Sequence, residues 1–345
     1  MRFTFCPLFS GSSGNALFIG GGNTRILIDA GLSGRTVTEA LASIGVLPET
    51  LDGILVTHEH SDHVKGVGIL SRKYRLPIYA NARTWAGMER QIGAVAPPLR
   101  REFESNESFF IGDFSVYPFS IPHDAADPVG YRVYYGAHSV ATATDMGYYS
   151  HRVHDALSGV DLLVLESNHD IDMLRHNEHY SQTLKNRILG RSGHLCNEAC
   201  GEALWQLYQT GVRHAVLGHL SHENNTPELA LRTVCESLQA HGLEIGKDIR
   251  VDMAWRDHVG SVYEIDCSPR APVLDRCSAA GGPGLLRGKP VGAGADPGGQ
   301  GYFPGHLWRQ RRAAGLPVCR ARPADPGGTA CPVDGFSAKY TACFL

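Results

Sequence analysis

The residues best suited to chemistry lie together at positions 57–63, with the sequence Thr-His-Glu-His-Ser-Asp-His. Imidazole and carboxylate groups are the ligands that hold Zn²⁺ or a similar divalent ion. His58 and His60 are two residues apart, so in an extended segment their side chains point the same way. Asp62 and His63 follow where the chain turns, and they can face a second ion. The segment therefore predicts a two-metal hydrolase.

Two simpler interpretations of this segment are weaker. Solvent-exposed loops are usually built from Ser, Asn, Gly and Lys, not from three histidines around an aspartate. A structural zinc site usually has cysteine ligands in a closed tetrahedron, and residues 57–63 include no cysteine. The apolar run at residues 53–56 predicts a short buried strand that delivers the ligands at its end.

The pattern His-x-His-x-Asp-His resembles the signature of the metallo-β-lactamase superfamily. Four further segments match that family in the expected order, and each follows an apolar or β-branched run. They supply Asp29, His123, Asp145 and His219. The resemblance implies an α+β fold, namely the four-layer αββα metallo-β-lactamase sandwich, with the site at one edge between the two sheets.

Other segments narrow the resemblance to the bacterial YycJ/WalJ-type proteins. They lie at residues 10–15, 165–170, 193–198 and 218–230. That family usually has Ser at the position of Cys196, which is a mild departure. The resemblance covers residues 1–266 and implies a metal-dependent nuclease with 5′-to-3′ exonuclease activity on DNA.

The resemblance also implies a ligand set. One ion would bind His58, His60 and His123, and the other would bind Asp62, His63 and His219. Asp145 would bridge the two ions together with a water or hydroxide. Two ions in such sites lie roughly 3.5–4 Å apart and lower the pKa of the bound water toward about 7, which supplies hydroxide at neutral pH. Histidine and aspartate ligands suit either Zn²⁺ or Mn²⁺.

Two further residues have two interpretations each. Asp29 either orients a metal-binding histidine or caps the turn at residues 31–33. His194 resembles the additional histidine that nucleases of this superfamily place near the scissile phosphate, where it could protonate the leaving oxygen. The alternative for His194 is a solvent-exposed position at the start of a helix. Asp62 and His194 are the predicted catalytic residues.

The predicted substrate-binding residues fall in two segments. Residues 10–15 are small, and their backbone N–H groups could cradle a phosphate; a plain turn between two strands has the same composition. Residues 222–225 follow a predicted ligand directly and place polar groups where a nucleotide could lie. The residues concerned are Ser10, Ser12, Ser13, Asn15, His222 and Asn224.

The charge distribution limits where a DNA substrate can bind. Residues 267–345 hold 8 Arg and 2 Lys against 4 Asp, a charge of +6, and the formal total is −3, so residues 1–266 carry −9. A body of that charge has no global attraction for phosphate, and any attraction must be local. Three basic residues that precede His194 are well placed to attract phosphate, namely Lys185, Arg187 and Arg191. The basic run at 72–75 is interpreted as a solvent-exposed face.

Composition divides the chain near residue 266. Residues 1–266 are predicted to form the hydrolase domain, with no signal peptide and no apolar run that could span a membrane. Their four cysteines lack metal-binding spacing, which favours a reduced, cytoplasmic protein.

Residues 267–345 contain 14 Gly, 10 Pro and no Glu. This tail is predicted to be either disordered and basic or the product of a non-native reading frame, and it is assigned no function.

Short apolar runs predict the elements of the hydrolase domain. The predicted strands lie at residues 3–9, 16–19, 25–29, 53–57, 77–80, 109–111, 114–121, 130–135, 139–144, 161–165 and 215–217. The predicted helices lie at residues 36–44, 64–74, 181–188, 198–209 and 227–240. Strands followed by helices, twice over, predict two sheets face to face with helices outside.

Three functions are compatible with these features. The first is a metal-dependent phosphodiesterase that degrades DNA as an exonuclease. The second is a small-molecule hydrolase acting on a thioester or lactone, because similar ligands serve those reactions. The third is a non-catalytic nucleic-acid-binding protein, against which the complete ligand set argues. The sequence defines neither strand preference nor oligomeric state.

Overall fold

The computed structural model describes residues 2–267, whose strands form two seven-stranded sheets. The strands of the first sheet are β1 (Arg2–Phe9), β2 (Ala16–Gly21), β3 (Thr24–Ile28), β4 (Gly53–Leu55), β5 (Ile78–Ala80), β6 (Arg100–Glu102) and β14 (Tyr263–Asp266). Their order is β14-β1-β2-β3-β4-β5-β6. Pairing is antiparallel from β14 to β3 and parallel from β3 to β6.

The second sheet repeats this mixture of antiparallel and parallel pairing. Its strands are β7 (Phe109–Ile111), β8 (Phe114–Ser120), β9 (Val129–Tyr135), β10 (His138–Ala143), β11 (Leu162–Glu166), β12 (His214–Gly218) and β13 (Arg250–Met253). The order is β13-β12-β11-β10-β9-β8-β7. Strands β7 to β10 pair antiparallel and strands β10 to β13 pair parallel.

Helices cover the outer face of each sheet. They are α1 (Gly34–Ser43), α2 (Ser61–Val64), α3 (Val67–Tyr74), α4 (Ala82–Ile92), α5 (His151–Leu157), α6 (Ile171–His176), α7 (Gln182–Ile188), α8 (Asn197–Gln209) and α9 (Pro227–Ala240). Buried side chains of α1, α3 and α4 share one apolar cluster with outward-facing residues of β3 and β4. Those of α5, α8 and α9 share another with β10, β11 and β12.

A third apolar cluster lies between the sheets. Phe3 and Phe5 of β1 contribute to it together with Leu162 and Val164 of β11. Residues that alternate with these along the strands, such as Leu163, face the helices instead, as the two-residue period of a strand requires. The layers are therefore helix, sheet, sheet and helix, which confirms the predicted αββα sandwich.

Several elements were not predicted, and one predicted helix begins later than expected. Strands β6, β13 and β14 and helices α4, α5 and α6 have no counterpart in the prediction. The helix predicted at 64–74 begins at Val67 as α3, and Gly66 separates it from the short helix α2. The Gly66 N–H donates to Ala30 O at 2.7 Å, and a Cβ at this position would overlap the Leu32 carbonyl oxygen.

Within residues 2–267 no helix is both long and apolar enough to cross a bilayer. The prediction for the Gly/Pro/Arg-rich tail concerns residues outside the described range, apart from Cys267, which is half-buried.

Candidate metal centre

Ligand-type side chains follow the C-terminal ends of strands in both sheets. Asp29 follows β3 and residues 58–63 follow β4, and these two strands pair in parallel. In the other sheet Asp145, Glu166 and His219 lie at or just after the ends of β10, β11 and β12. Parallel neighbours end at the same edge of a sheet, so these side chains come together there.

The first ligand cluster consists of His58, His60 and His123, whose ring nitrogens converge. His58 Nε2 lies 3.1 Å from His60 Nδ1, and His123 Nε2 lies 3.3 Å from the same atom. Burial and then the neighbouring histidines lower the pKa of His58 well below its usual value, and burial also lowers the pKa of His123. Uncharged imidazoles with converging nitrogens form a donor set suited to a divalent cation.

The second ligand cluster consists of Asp62, His63 and His219. The Nε2 atoms of His63 and His219 lie 3.6 and 3.7 Å from Asp62 Oδ2. Burial favours neutral Asp62, but the adjacent imidazoles of His219 and His63 hold its pKa below the usual range. Burial likewise opposes charge on His63, but Asp145 and Asp29 raise its pKa to about 9. The carboxylates thus favour positive charge here, which a divalent cation supplies.

Asp145 lies between the two clusters. Its Oδ2 is 3.4 Å from His63 Nε2, and its Oδ1 is 3.9 Å from His123 Nε2. Asp145 Oδ2 and His219 Nε2 are both buried without a hydrogen-bond partner. Because an unpaired buried polar atom costs about 1–3 kcal/mol, this arrangement requires a bound group. The donor set and these two atoms fit divalent metal ions.

Asp29 contacts a histidine of the second cluster. Its Oδ2 accepts hydrogen bonds from His63 Nδ1 at 2.8 Å and from Thr57 Oγ1 at 2.8 Å. Its Oδ1 accepts from the Thr57 backbone N–H at 2.9 Å. These bonds fix the ring of His63 so that Nε2 points to Asp62 and Asp145. The geometry favours the orienting interpretation of Asp29 over a cap of the turn at 31–33.

Glu166 is a site residue to which the sequence analysis assigned no role. Its side chain is fully buried, and Oε1 accepts from His194 Nδ1 at 2.8 Å and from His219 Nδ1 at 2.9 Å. Oε2 accepts from the backbone N–H of Met146 at 2.6 Å and of Leu195 at 3.2 Å. Burial favours neutral Glu166, yet the two histidines hold its pKa below the usual range. In the sequence Glu166 ends an apolar run within the family-like segment 165–170, but nothing there marks it as a site residue.

His194 reaches the centre from the loop before α8. Its side chain is 22% exposed, and its Nδ1 lies 3.8 Å from Asp145 Oδ1. Its ring centroid lies 5.2 Å from that of His123 and 5.3 Å from that of His219. The Nδ1 atom is bonded to Glu166, so Nε2 is the nitrogen that remains for a substrate. His194 is therefore a partly exposed member of the centre.

Three residues of the centre have a left-handed backbone. The φ angles of Asp29, Asp145 and His219 are 61°, 64° and 56°. This conformation costs a non-glycine residue about 1–2 kcal/mol, and such strain is concentrated at functional sites. The buried Ser10 stabilises it at His219, because Ser10 Oγ accepts from the His219 backbone N–H at 2.9 Å.

The turn at residues 11–14 lies beside the second cluster. Gly11 forms a bridge with Leu220, directly after His219, and the Asn15 N–H donates to Asp62 O at 2.8 Å. Asn15 is buried, and its Nδ2 lies 3.1 Å from His63 Nε2, so its side chain supports the ligands.

The exposed residues of this turn, Ser12 and Ser13, lie at its tip. The stem of Arg256, which the sequence analysis did not single out, packs over Gly11: its Cγ lies 2.9 Å from where a Cβ of that residue would be. The turn tip and the stem of this arginine together form a rim next to the second cluster.

The two residues predicted after His219 have different environments. His222 is exposed and lines an open groove together with His179. Asn224 is buried, its Oδ1 accepts from Asn177 Nδ2 at 2.7 Å, and its Nδ2 lies 3.4 Å from Ser221 Oγ. Asn224 therefore stabilises the loop, whereas His222 is accessible to a ligand.

His169 is buried, and neither of its ring nitrogens has a hydrogen-bond partner. Burial, followed by the charge of His194, lowers its pKa to about 4. It is a neutral histidine beneath the centre.

A four-layer αββα sandwich with histidine–aspartate clusters at one edge defines a metal-dependent hydrolase. Residues 24–220 match a family profile described as the beta-lactamase superfamily domain. The chain is 41% identical to exodeoxyribonuclease YycJ of Bacillus anthracis over 73% of its own length and 95% of the relative's. It is also 41% identical to exodeoxyribonuclease WalJ of Streptococcus pneumoniae, over 72% and 93% of the two chains. The chain therefore belongs to the metallo-β-lactamase superfamily and, within it, to the YycJ/WalJ type.

Solved structures agree on the fold. The metallo-β-lactamase fold protein YhfI of Bacillus subtilis matches with a TM-score of 0.58 at 18% identity, covering 76% of this chain and 100% of YhfI. The Zn²⁺-bound PqqB of Methylobacterium extorquens matches with a TM-score of 0.57 at 18% identity, covering 77% of this chain and 100% of PqqB.

Proposed function

We propose that this protein is a metal-dependent exodeoxyribonuclease that degrades DNA in the 5′-to-3′ direction. The observation that carries the proposal is the pair of ligand clusters that share Asp145, whose buried Oδ2 has no partner. DNA as the substrate is supported by the 41% identity to relatives named exodeoxyribonuclease YycJ and WalJ. The 5′-to-3′ direction follows from the family resemblance.

The proposal includes two divalent ions, either Zn²⁺ or Mn²⁺. His58, His60 and His123 would hold one, and Asp62, His63 and His219 would hold the other, with Asp145 between them. When bound, such a pair supplies hydroxide near neutral pH and neutralises charge on the attacked phosphate. Glu166 and Asp29 hold the rings of His219 and His63 in the orientation that this binding needs.

His194 is proposed as the proton donor to the leaving oxygen. A general acid has to be within hydrogen-bond reach of the atom that it protonates. His194 meets this requirement better than His63 or His219, because those rings are buried whereas its own is partly exposed. The bond to Glu166 fixes the imidazole with Nδ1–H inward and leaves Nε2 for the substrate.

The substrate is proposed to contact two rims of the centre. On one side are the exposed hydroxyls of Ser12 and Ser13 and the guanidinium of Arg256. On the other are the residues of α7 and the following loop, where Arg187 pairs with Asp124, the neighbour of His123. These rims supply the local positive charge that the acidic body otherwise lacks. No disulfide joins the five cysteines within residues 2–267, which supports a cytoplasmic location.

The test uses the full chain, stripped of metal and reloaded with Mn²⁺ or Zn²⁺. Single-stranded and duplex DNA labelled at either the 5′ or the 3′ end would be incubated with the wild type and with Asp62→Ala. We expect early loss of a 5′ label with a ladder of shortened 3′-labelled strands, and no degradation by the variant. Asp113→Ala, which removes an exposed carboxylate at the opposite end of β8 from His123, is the matched control and should be active.

A thioester and a lactone would be assayed in parallel. Intact DNA with a cleaved thioester or lactone would overturn the proposal in favour of a small-molecule hydrolase. Degradation by folded Asp62→Ala equal to the wild type would refute the metal-dependent mechanism.

A further inference from the structure

Tyr148 and Arg191 form a layered pair beside the metal centre. The guanidinium carbon of Arg191 lies 4.5 Å from the centroid of the Tyr148 ring. Tyr148 is three residues after Asp145, and Arg191 is three residues before His194. Three peptide units span at most about 11 Å, so both members are anchored within that distance of the backbone of a residue of the centre.

The loops that carry this pair are packed tightly against each other. A Cβ on Gly147 would overlap the backbone of Arg191, so the two loops touch at a position that accommodates only glycine. The Gly147 N–H donates to Pro122 O at 2.9 Å, and the Asp124 N–H donates to Ser192 O at 3.1 Å. The pair is consequently held in a fixed position relative to His123, which lies between Pro122 and Asp124.

Arg191 forms no ion pair with any carboxylate of residues 2–267. Its side chain is exposed, and its guanidinium lies over the ring of Tyr148. Arg187, in the last turn of α7, is by contrast paired with Asp124. An exposed cation–π contact contributes only about 0.5–1 kcal/mol. Folding stability alone therefore gives little reason for an unpaired arginine at this place.

We propose that Tyr148 and Arg191 form the binding site for the base of the nucleotide at the end being cleaved. This inference rests on the proposed exonuclease function. Aromatic rings and guanidinium planes bind bases of any sequence by stacking, and arginine adds charge for the adjoining phosphate. A base held here cannot be paired with a complementary strand, so the enzyme accepts a single-stranded or frayed end.

The test compares two 5′-labelled oligodeoxynucleotides that differ only at the end. One carries ordinary nucleotides, and the other carries abasic tetrahydrofuran residues at its two 5′-terminal positions. Stacking on a protein side chain changes affinity by about 5- to 150-fold per base. For the full-length, metal-loaded wild type, we expect the KM for the oligonucleotide with the ordinary end to be lower than that for the abasic oligonucleotide by a factor in this range. Tyr148→Leu should raise that KM to the abasic value and leave the abasic KM unchanged, whereas Tyr148→Phe should resemble the wild type.

The matched control is Tyr208→Leu. Tyr208 also lies under an arginine, with Arg213 Cζ 3.9 Å from its ring centroid, but at the opposite end of β12 from His219. This variant should keep the discrimination between the two ends.

Two results would overturn the inference. One is an unchanged KM for both ends in Tyr148→Leu. The other is an equal loss of activity on the ordinary and the abasic ends, which would mean that Tyr148 supports the metal centre itself. Neither result is the same as the failure of the proposed function, in which the wild type would leave both oligonucleotides intact.

Discussion

Replacing Glu166 with glutamine tests how the centre is assembled. Glu166 accepts four hydrogen bonds, two from imidazole Nδ1 atoms at Oε1 and two from backbone N–H groups at Oε2. A glutamine has only one acceptor oxygen, and its NH₂ group donates. The backbone N–H groups of Met146 and Leu195 cannot become acceptors, so the amide oxygen should face them and the NH₂ should face the histidines.

This orientation has a consequence for the metal. To accept from the new NH₂, His219 must lose the proton from Nδ1 and carry it on Nε2, the atom that faces Asp62. A protonated Nε2 cannot bind a metal ion. Loss of such an orienting partner typically lowers metal affinity by about 10- to 100-fold, which corresponds to about 1.4–2.7 kcal/mol.

The assay measures competition for Zn²⁺ between the protein and a chromophoric chelator at pH 7.5. The titration is analysed so that the affinities for the first and the second equivalent of Zn²⁺ are obtained separately. In Glu166→Gln we expect the equivalent bound by the second cluster to weaken by this factor, and the equivalent bound by His58, His60 and His123 to be unchanged. Long-range ¹H–¹⁵N spectra of metal-free Glu166→Gln should show a proton on Nε2 of His219 and none on Nδ1. Glu202→Gln is the control, because Glu202 accepts from His241 Nε2 at 3.0 Å in another part of the molecule.

This reasoning would be refuted if Glu166→Gln bound both equivalents of Zn²⁺ with affinities within twofold of the wild type while its circular dichroism spectrum was unchanged. Equal weakening of both equivalents would refute the reasoning as well, since it would indicate a general disturbance of the fold.

Two further predictions concern stability, measured by urea unfolding of the metal-free protein. His169 has a folded pKa of about 4 against an ordinary value of 6.5, so the unfolded state binds more protons below pH 6.5 and wild-type stability falls from there down to about pH 4. The difference in free energy of unfolding between His169→Leu and the wild type should therefore shift by about 2 kcal/mol in favour of the variant when the pH falls from 7.5 to 5. The same difference for the control His222→Leu, at an exposed position, should not change. A difference for His169→Leu that is independent of pH would contradict the assigned pKa. Gly31→Ala should lose about 3 kcal/mol or more, because its Cβ would overlap the Asp62 carbonyl oxygen. At Gly45 an added Cβ would meet open space, and the left-handed backbone is the cost that remains, so Gly45→Ala should lose about 1–2 kcal/mol of stability. Equal losses in Gly31→Ala and Gly45→Ala would refute the overlap at Gly31.

The side chains that bind metal could be predicted because their chemistry is specific. Three histidines and an aspartate within six residues have few other uses, and the runs before them predicted their strands. Glu166 was missed because a single glutamate after an apolar run looks like any strand end. Its role depends on His194 and His219, which are distant in sequence and meet it only in the folded chain.

The secondary structure was missed for two different reasons. Helix α4 could have been found, since Asn81 caps it and Trp85, Met88 and Ile92 have helical spacing. Strand β6 could not, because Arg100–Glu102 is exposed and charged and is a strand only through its parallel pairing with β5. Similarly, Ser10 and Asn15 look like parts of a phosphate-binding turn in the sequence, whereas their side chains are used by His219 and His63.

The left-handed backbone of Asp145 has a consequence for lineages that descend from such an enzyme. Glycine adopts this backbone without the penalty that a side chain brings, and Asp145 Oδ2 is buried without a hydrogen-bond partner. In a descendant no longer selected for hydrolysis, glycine at this position would relieve both costs. Asp29 and His219 share the left-handed backbone, but their side chains make buried hydrogen bonds with His63 and Glu166, which oppose their loss. Drift should therefore remove Asp145 early, so position 145 is the place in a relative's sequence where the loss of catalysis would be recorded first.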